Sequence, residues 1–371
     1  MDLGFSSEQD MLRKSVAEFL TKECPYDIVR DIEDSEDGYS PQAWRKMAEL
    51  GWMELHYPEE FGGYGDPFMD VLIIMEEMGK RAFPSPFFPT VVQCGLVVLA
   101  AGSDAQKKVL LPKIAQGKLI MALAQYEVEA SYLETGITMP AVPSGDQYIL
   151  NGTKMFVTDA NIAEKMIVAA RTDEGVTLFL VDAKDPGITC TRIPTAGMDN
   201  TCEVIFKDVA VPAADVLGAP GEGWQALEAM APKATLAKCG EMLGGAKAGL
   251  DMTIAYAKER VQYGRPIGFY QAIQHFLADM QLAYDTAFSY LYKVAWMVDE
   301  GMDTTREISA LKAKVNENYK FISERCVHIH GGVGTTREYD VGLFYRRAKA
   351  FEFVMGDTEH HNEKLAQALG L

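Results

Sequence analysis

Several features that mark other classes of protein are absent from this sequence of 371 residues. Its 6 cysteines are scattered, without a CxxC pair or the spacing of a metal site, which predicts free thiols in a reducing compartment. No run approaches the ~20 apolar residues that cross a bilayer, and the chain does not begin with the basic and apolar segments of an export signal. We therefore expect a cytoplasmic protein with no membrane span.

Positive charge is scarce as well. The chain has 35 Lys and Arg against 53 Asp and Glu, for a net charge of -18. Nucleic acid is not expected as a partner, because its phosphate backbone rewards lysine and arginine. An anionic small molecule would need a local basic patch to offset the overall field. With 48% hydrophobic and 24% charged residues, the composition is that of a soluble globular protein.

The hydrophobic pattern divides the chain into three parts and predicts an α+β fold. Residues 1–120 carry apolar residues at helical spacing and are predicted to form an N-terminal helical domain. Residues 121–220 hold short β-rich runs separated by turn signals such as Asn151-Gly152, which favours a middle antiparallel β-barrel or sandwich domain. Residues 221–371 contain four long helical patterns, as expected for a C-terminal four-helix bundle.

Glycine-bearing turns flanked by basic or amide side chains interrupt the last third of the chain. No GxGxxG motif follows a predicted strand, so the sequence does not support a Rossmann fold. Turns of the kind seen here still let backbone N–H groups and cations approach an anionic cofactor closely. They occur at residues 260–273 (RVQYGRPIGFYQAI) and 328–334 (HIHGGVG), ahead of the segment 345–349 (YRRAK).

These motifs, in a chain that runs from helices through β-structure to a bundle, resemble the acyl-CoA dehydrogenases, which are FAD enzymes. The segments 58–63 (PEEFGG) and 154–158 (KMFVT) are also similar to segments of that family. In the family, the aromatic of the second segment lies beside the flavin ring, and its threonine hydroxyl bonds the reactive edge. The resemblance therefore implies a FAD site at an interface between subunits.

The resemblance implies a set of cofactor-binding residues in this sequence. At the flavin ring they are Phe156, Thr158 and Tyr126, the last standing where the family commonly has threonine. An arginine donates in a fork that suits the oxygens of the diphosphate. For the diphosphate and adenine, the implied residues are Arg260, Gln262, Tyr263, Gln271, Gly331, Gly332 and His328, which stands where glutamine is common.

Taken alone, these residues also have structural explanations. Phe156 would be a core residue of a half-buried strand, Arg260 a cation at a helix end, and the two glycines a helix stop. The histidine pairs 328/330 and 360/361 could suggest a metal, but no further ligands complete either set. The order of the motifs favours the FAD interpretation, and no metal site is expected.

The sequence departs from the family where the catalytic base is expected. A carboxylate desolvated beside the acyl chain would remove the proton next to the thioester. The usual place for it holds Met355, and a second family position, early in the first bundle helix, falls on Ala234. The remaining candidates are Asp357, which otherwise caps the following helix, and Glu241, which otherwise pairs within the bundle. An unidentified base, or none in this subunit, stays open.

The implied function is FAD-dependent dehydrogenation of an acyl-CoA thioester to an enoyl-CoA, with proton abstraction by a carboxylate and hydride transfer to flavin N5. The altered base position favours a branched, cyclic or dicarboxylic acyl group. We expect an electron-transferring flavoprotein as electron acceptor and a homotetramer or heterotetramer as the assembly. Two alternatives stay open: a FAD-poor or non-catalytic partner subunit of a heteromeric acyl-CoA dehydrogenase, and a flavin monooxygenase or oxidase on the same fold.

Overall fold

The N-terminal part of the chain is a cluster of helices, as the hydrophobic spacing predicts. A computed structural model describes residues 4–371, and no helix within that range is long and apolar enough to cross a membrane. A stretch of π-helix, Phe87–Cys94, precedes the fifth α-helix. The α-helices of this part are α1 (Ser7–Glu23), α2 (Tyr26–Asp34), α3 (Pro41–Glu49), α4 (Phe68–Lys80), α5 (Gly95–Ala101) and α6 (Asp104–Ala115).

Two four-stranded sheets form the middle part. Their strands are β1 (Met121–Ala124), β2 (Ala141–Ser144), β3 (Gln147–Thr158), β4 (Lys165–Thr172), β5 (Gly175–Asp182), β6 (Ile188–Arg192), β7 (Thr201–Pro212) and β8 (Val216–Leu217). The sheet orders are β1-β4-β5-β8 and β2-β3-β7-β6, and neighbours are antiparallel except β1 and β4, which are parallel. A hydrophobic core including Met166, Phe179 and Val204 draws on both sheets, as in a sandwich.

The turn predicted at Asn151-Gly152 is wrong. These residues lie inside β3, whose two halves both pair with β7, and the register shifts between Leu150 and Gly152. A Cβ at Gly152 would come within 2.7 Å of the Met139 side chain. The glycine therefore serves a bulge and a close contact within a continuous strand, which is the other meaning of a glycine among β-forming residues.

The C-terminal part is a helical bundle. Its elements are α7 (Gly223–Glu259), the hairpin strands β9 (Val261–Gln262) and β10 (Arg265–Pro266), α8 (Gln271–Asp299), α9 (Thr305–His330), α10 (Val341–Phe351) and α11 (Thr358–Ala368). Helix α10 ends at Phe351, and the turn that follows it contains Met355 and Gly356, whose φ angles of 63° and 105° lie outside a right-handed helix. The short helix α11 follows this turn.

Helix α4 joins the N-terminal cluster to the bundle. Every residue from Val71 to Gly79 on α4 is buried, including Glu76 and Glu77. A Cβ on Gly79 would lie 1.9 Å from the backbone oxygen of Glu241 on α7, and one on Gly244 would lie 1.9 Å from that of Glu76. Only glycine permits so close an approach. The cluster and the bundle consequently share one hydrophobic core.

A buried ion-pair cluster makes a second link between these two parts. Glu33 on α2 is 3% exposed, and its two carboxylate oxygens lie 2.9 Å from guanidinium nitrogens of Arg346 and Arg347 on α10. Arg347 also donates to the backbone oxygen of Ala82. Since α10 leads directly into the turn before α11, this link fixes where that turn begins.

We predict that Glu33→Gln lowers the free energy of unfolding by about 3 kcal/mol, because it leaves two arginines without their buried carboxylate. Denaturant titration followed by circular dichroism measures the change. Glu36→Gln, at an exposed position just beyond α2, is the control and should change stability by less than about 0.5 kcal/mol. A Glu33 variant as stable as the wild type would contradict the assigned role.

Candidate active site

A cavity of about 560 Å³, here called the larger cavity, opens between β3, the loop joining β6 to β7, and the end of α10. Phe156 and Thr158, both predicted at the cofactor ring, line it. Phe156 takes a φ of 57° and leaves 47% of its surface exposed. A bulky residue in the left-handed region is strained. The strained backbone here places an apolar ring at the cavity wall instead of in the core.

A second cavity of about 310 Å³, here called the smaller cavity, lies between the first turns of α7, α9 and α11. The two cavities share four lining residues, Gln125, Tyr126, Tyr132 and Met355, which we call the junction. The two cavities are therefore neighbours, with these four side chains at their boundary. Both Tyr126, predicted at the cofactor ring, and Met355, at the usual base position, belong to this junction.

Two tyrosines form one wall of the junction. The rings of Tyr126 and Tyr132 are 5.8 Å apart and edge to face, and the Tyr132 ring lies 4.9 Å from that of His360. The Tyr132 hydroxyl donates to the backbone oxygen of Phe353 over 3.1 Å, whereas the Tyr126 hydroxyl has no hydrogen-bond partner among residues 4–371. Burial raises the pKa of Tyr126 to about 12, so its phenol is neutral at pH 7 and free to donate to a ligand.

The turn between α10 and α11 holds Met355 in place. Nε2 of His361 donates to the backbone oxygen of Met355 over 2.8 Å, and Nε2 of Gln93 lies 3.4 Å from its sulfur. The ammonium of Lys312, which is fully buried, donates to the backbone oxygens of Phe351 and Glu352 at 3.3 and 3.2 Å. Burial lowers the pKa of Lys312 to about 8. These contacts fix a turn whose backbone is strained at Met355.

The structure brings neither predicted catalytic carboxylate to a cavity wall. The Asp357 carboxylate accepts the backbone N–H of His360 over 2.8 Å and thereby caps α11. The Glu241 carboxylate lies 2.5 Å from the ammonium of Lys238 on the same helix. Asp357 thus caps a helix and Glu241 forms an ion pair within the bundle, which were the structural alternatives to a catalytic role.

Two other carboxylates line the cavities, and the sequence did not single them out. Asp199 lines the larger cavity and accepts hydrogen bonds from the hydroxyls of Thr195, at 2.5 Å, and Thr201. Glu228 lines the smaller cavity and is exposed. Glu228 precedes Thr235 by two helical turns and therefore lies on the same face of α7. This spacing is the signal in the sequence that could have predicted Glu228 as a residue of the site. The junction itself contains no carboxylate of residues 4–371.

The remaining predicted cofactor residues lie at the far end of α7. Residues 235 to 260 of that helix separate them from the smaller cavity. At a rise of 1.5 Å per residue, the distance along the helix axis is about 38 Å. The structure groups these seven residues around the hairpin and the neighbouring ends of α8 and α9, but not with the ring residues of the same chain. They are Arg260, Gln262, Tyr263, Gln271, His328, Gly331 and Gly332, here called the hairpin group.

The hairpin group is open to a ligand. Tyr263 is 93% exposed, and a Cβ on Gly331 or Gly332 would meet nothing within 4 Å. Arg260 is exposed as well, and its guanidinium pairs with no carboxylate in the described range 4–371. In a chain with a net charge of -18, an unpaired guanidinium beside two open glycines is suited to a phosphate group.

Known protein families match all three parts of this fold. Residues 6–118, 127–209 and 221–370 match, in turn, the N-terminal, middle and C-terminal domains of acyl-CoA dehydrogenases. The chain belongs to the acyl-CoA dehydrogenase family. Members of this family are FAD-binding flavoproteins and oxidoreductases that act on CH–CH groups.

Individual relatives are similar over almost the whole chain. The probable acyl-CoA dehydrogenase YngJ of Bacillus subtilis is 32% identical, with 100% of both chains covered. The caffeyl-CoA reductase-Etf complex subunit CarC of Acetobacterium woodii is 31% identical over 96% of each chain. Among solved structures, the ChsE4-ChsE5 complex from Mycobacterium tuberculosis superposes with a TM-score of 0.91 at 26% identity, covering 100% of this chain and 99% of that one.

We expect Arg260→Ala to weaken retention of FAD. A charge-assisted hydrogen bond to a phosphate is worth roughly 1.5–3 kcal/mol, or about 10- to 150-fold in Kd. The ratio of flavin to protein absorbance after gel filtration measures the loss. Arg45→Ala, at an exposed position on α3, is the control and should keep the wild-type ratio. Full FAD occupancy in the Arg260 variant would count against the assignment.

Proposed function

We propose that the chain is a FAD-dependent oxidoreductase that removes hydrogen from adjacent carbons of an acyl-CoA thioester, forming an enoyl-CoA. The observation that supports this best is the junction, at which the larger and smaller cavities share Tyr126 and Met355. A flavin ring in the larger cavity and an acyl group in the smaller cavity would meet there. Transfer of hydrogen between two molecules requires such a contact.

The residues around the larger cavity fit a flavin ring. Phe156 offers an apolar face, and Thr158 offers a hydroxyl at the end of the same strand. The Tyr126 hydroxyl, which lacks a partner within residues 4–371, adds a donor at the junction. When bound, the flavin supplies the acceptor for the hydride that leaves the acyl group. The side chains of this protein would orient the flavin and the acyl group and would hydrogen-bond to their polar edges.

We propose that each FAD spans two chains, as in a homotetramer or heterotetramer. The hairpin group lies about 38 Å along α7 from Thr235 in its own chain, and the larger cavity that holds Phe156 and Thr158 is lined by no member of this group. A second chain would therefore bring its hairpin group to the ring residues of the first. Such an assembly would also cover Val261 and Tyr263, which are 53% and 93% exposed in the single chain.

A bulky branched or cyclic acyl group suits the smaller cavity better than a dicarboxylic one, because its apolar walls do not compensate a buried carboxylate. Apolar walls from two helices, Trp224, Leu227 and Met230 on α7 and Ile308 on α9, face a space of about 310 Å³. The small side chain of Thr235 also lines this cavity and leaves room inside the bundle. Burial of apolar acyl surface there contributes roughly 25 cal/mol per Å² to binding.

As electron acceptor we propose an electron-transferring flavoprotein. The relative CarC is named as a subunit of a reductase-Etf complex. In the present chain, Phe353 lines the larger cavity and is 58% exposed, so the cavity reaches the protein surface. A flavin bound there would be accessible to a docked electron carrier.

A second candidate is a subunit of a heteromeric enzyme whose partner supplies the base. The observation that favours it is Met355 at the junction, because a thioether cannot accept a proton. Asp357 and Glu241 are meanwhile occupied as a helix cap and an ion pair. The ChsE4-ChsE5 complex, to which this chain is similar, has two named components.

We predict that Met355→Glu speeds reduction of bound FAD by a cyclic or branched acyl-CoA at least about 100-fold over the wild-type chain alone, the low end for a general base. The strained turn would place the new carboxylate where both cavities meet. Anaerobic stopped-flow absorbance under excess acyl-CoA measures this step apart from reoxidation. Phe353→Glu, which adds the same charge to the larger cavity only, is the control and should not accelerate it.

Asp357→Asn separates the two candidates, because asparagine caps a helix as well as aspartate and the fold is retained. If Asp357 is the base, the wild type already reduces flavin and the variant slows at least about 100-fold. If a partner supplies the base, the variant behaves as the wild type alone. Flavin that stays oxidised in Met355→Glu, with FAD and acyl-CoA both bound, would contradict the proposed meeting of the cavities.

A further inference from the structure

Two hydroxyl groups line the smaller cavity from largely buried residues, Thr235 and Ser309. Thr235 on α7 is 2% exposed and Ser309 on α9 is 3% exposed, and both line this cavity. Neither hydroxyl makes a hydrogen bond within residues 4–371. Protein atoms enclose neither hydroxyl, so both are open to the cavity and available to hydrogen-bond with a ligand there.

Comparable hydroxyls elsewhere in the chain are paired. Thr253, on the same helix as Thr235 and fully buried, donates to the backbone oxygen of Gly249 over 2.7 Å. Such a bond to the preceding turn is the ordinary arrangement for serine and threonine within helices. Thr235 and Ser309 do not make this bond to the preceding turn within residues 4–371, and both residues line the smaller cavity.

The ionisable groups around the same cavity offer little to an anion. Burial lowers the pKa of His361 to about 3 and also lowers that of His360, so both imidazoles are neutral at pH 7. The ammonium of Lys364 and the carboxylate of Glu228 line the cavity from exposed positions, and their charges are opposite. Hydroxyl groups without a buried cation suit a neutral oxygen better than a carboxylate.

We propose that the acyl group bound in the smaller cavity carries a neutral polar oxygen, a hydroxyl or a ketone, that hydrogen-bonds to Thr235 and Ser309. This inference rests on the proposed function and narrows its substrate class. The apolar walls contact the carbon skeleton of the acyl group, and the two hydroxyls favour an acyl group that carries an oxygen over one that does not. A site built to bond a substrate oxygen discriminates against the analogue that lacks it, since its own buried groups are then left unpaired.

Binding to the FAD-loaded protein tests this without any requirement for turnover. The probes are four acyl-CoAs on one skeleton: 3-cyclohexylpropanoyl-CoA and its 4-hydroxy, 4-oxo and 4-carboxy ring derivatives. Titration calorimetry gives their Kd values. We expect the hydroxy or the oxo probe to bind about tenfold more tightly than the plain one, as one or two neutral hydrogen bonds provide, and the carboxy probe to bind no better than the plain one.

The variants locate the selectivity. Ser309→Ala and Thr235→Val, singly and together, should reduce the tenfold preference, and the double variant should remove it, so that the plain, hydroxy and oxo probes bind with equal Kd. Thr253→Val is the matched control, a paired hydroxyl on α7 outside both cavities, and should keep the preference. If the double variant folds poorly, the reduced preference in each single variant still tests the inference.

Equal binding of the plain, hydroxy and oxo probes by the wild type would overturn the inference, as would tighter binding of the carboxy probe. A preference that survives the double variant would also overturn it, because the selecting groups would then lie elsewhere. If none of the four probes binds, the proposed function fails together with this inference. Binding of all four without preference refutes the inference alone.

Discussion

The candidate site depends on one buried cation. The ammonium of Lys312 is fully buried and has no carboxylate partner among residues 4–371. It donates to the Asn316 side chain, at 2.5 Å, and to two backbone oxygens at the end of α10. Carbonyls at a helix C-terminus carry the negative end of the helix dipole, which suits a cation. If the turn after α10 moved away, the charge would stay buried and unpaired. Lys312 and the turn therefore hold each other in place.

The position of that turn determines how the rest of the site is built. With α10 tied to α2 through Glu33 and the turn tied to α11 through His361, Met355 is held in a strained conformation at the junction of both cavities. Sheet residues from β3 form the opposite side of the larger cavity. Three parts of the fold thus meet at one point, while the hairpin group remains at the far end of α7. This separation is the physical reason to expect a second chain in a complete FAD site.

The sequence predicted the order of helices, sheets and bundle, which depends on local pattern. Phe156 and Thr158, predicted at the flavin ring, both lie on the wall of the larger cavity, and their contact with flavin stays a prediction. The predicted turn at Asn151-Gly152 is wrong. The same dipeptide can form a turn or a bulge, and the pairing of β3 with β7 determines that it forms a bulge here. The role of Asp357 stays a prediction, because cap and base use the same carboxylate. Ser309 carried no local signal at all. Its importance comes from a missing hydrogen bond, which only the packed structure reveals.

We propose that a flavin ring and an acyl group meet at the junction of the two cavities. A crystal structure of the protein with FAD and a non-reactive acyl-CoA thioether tests this most directly. We expect the flavin ring against Phe156 in the larger cavity, the acyl group in the smaller cavity, and their contact beside Tyr126 and Met355. An empty larger cavity in the FAD-soaked protein, or an acyl group bound away from the junction, would contradict the account.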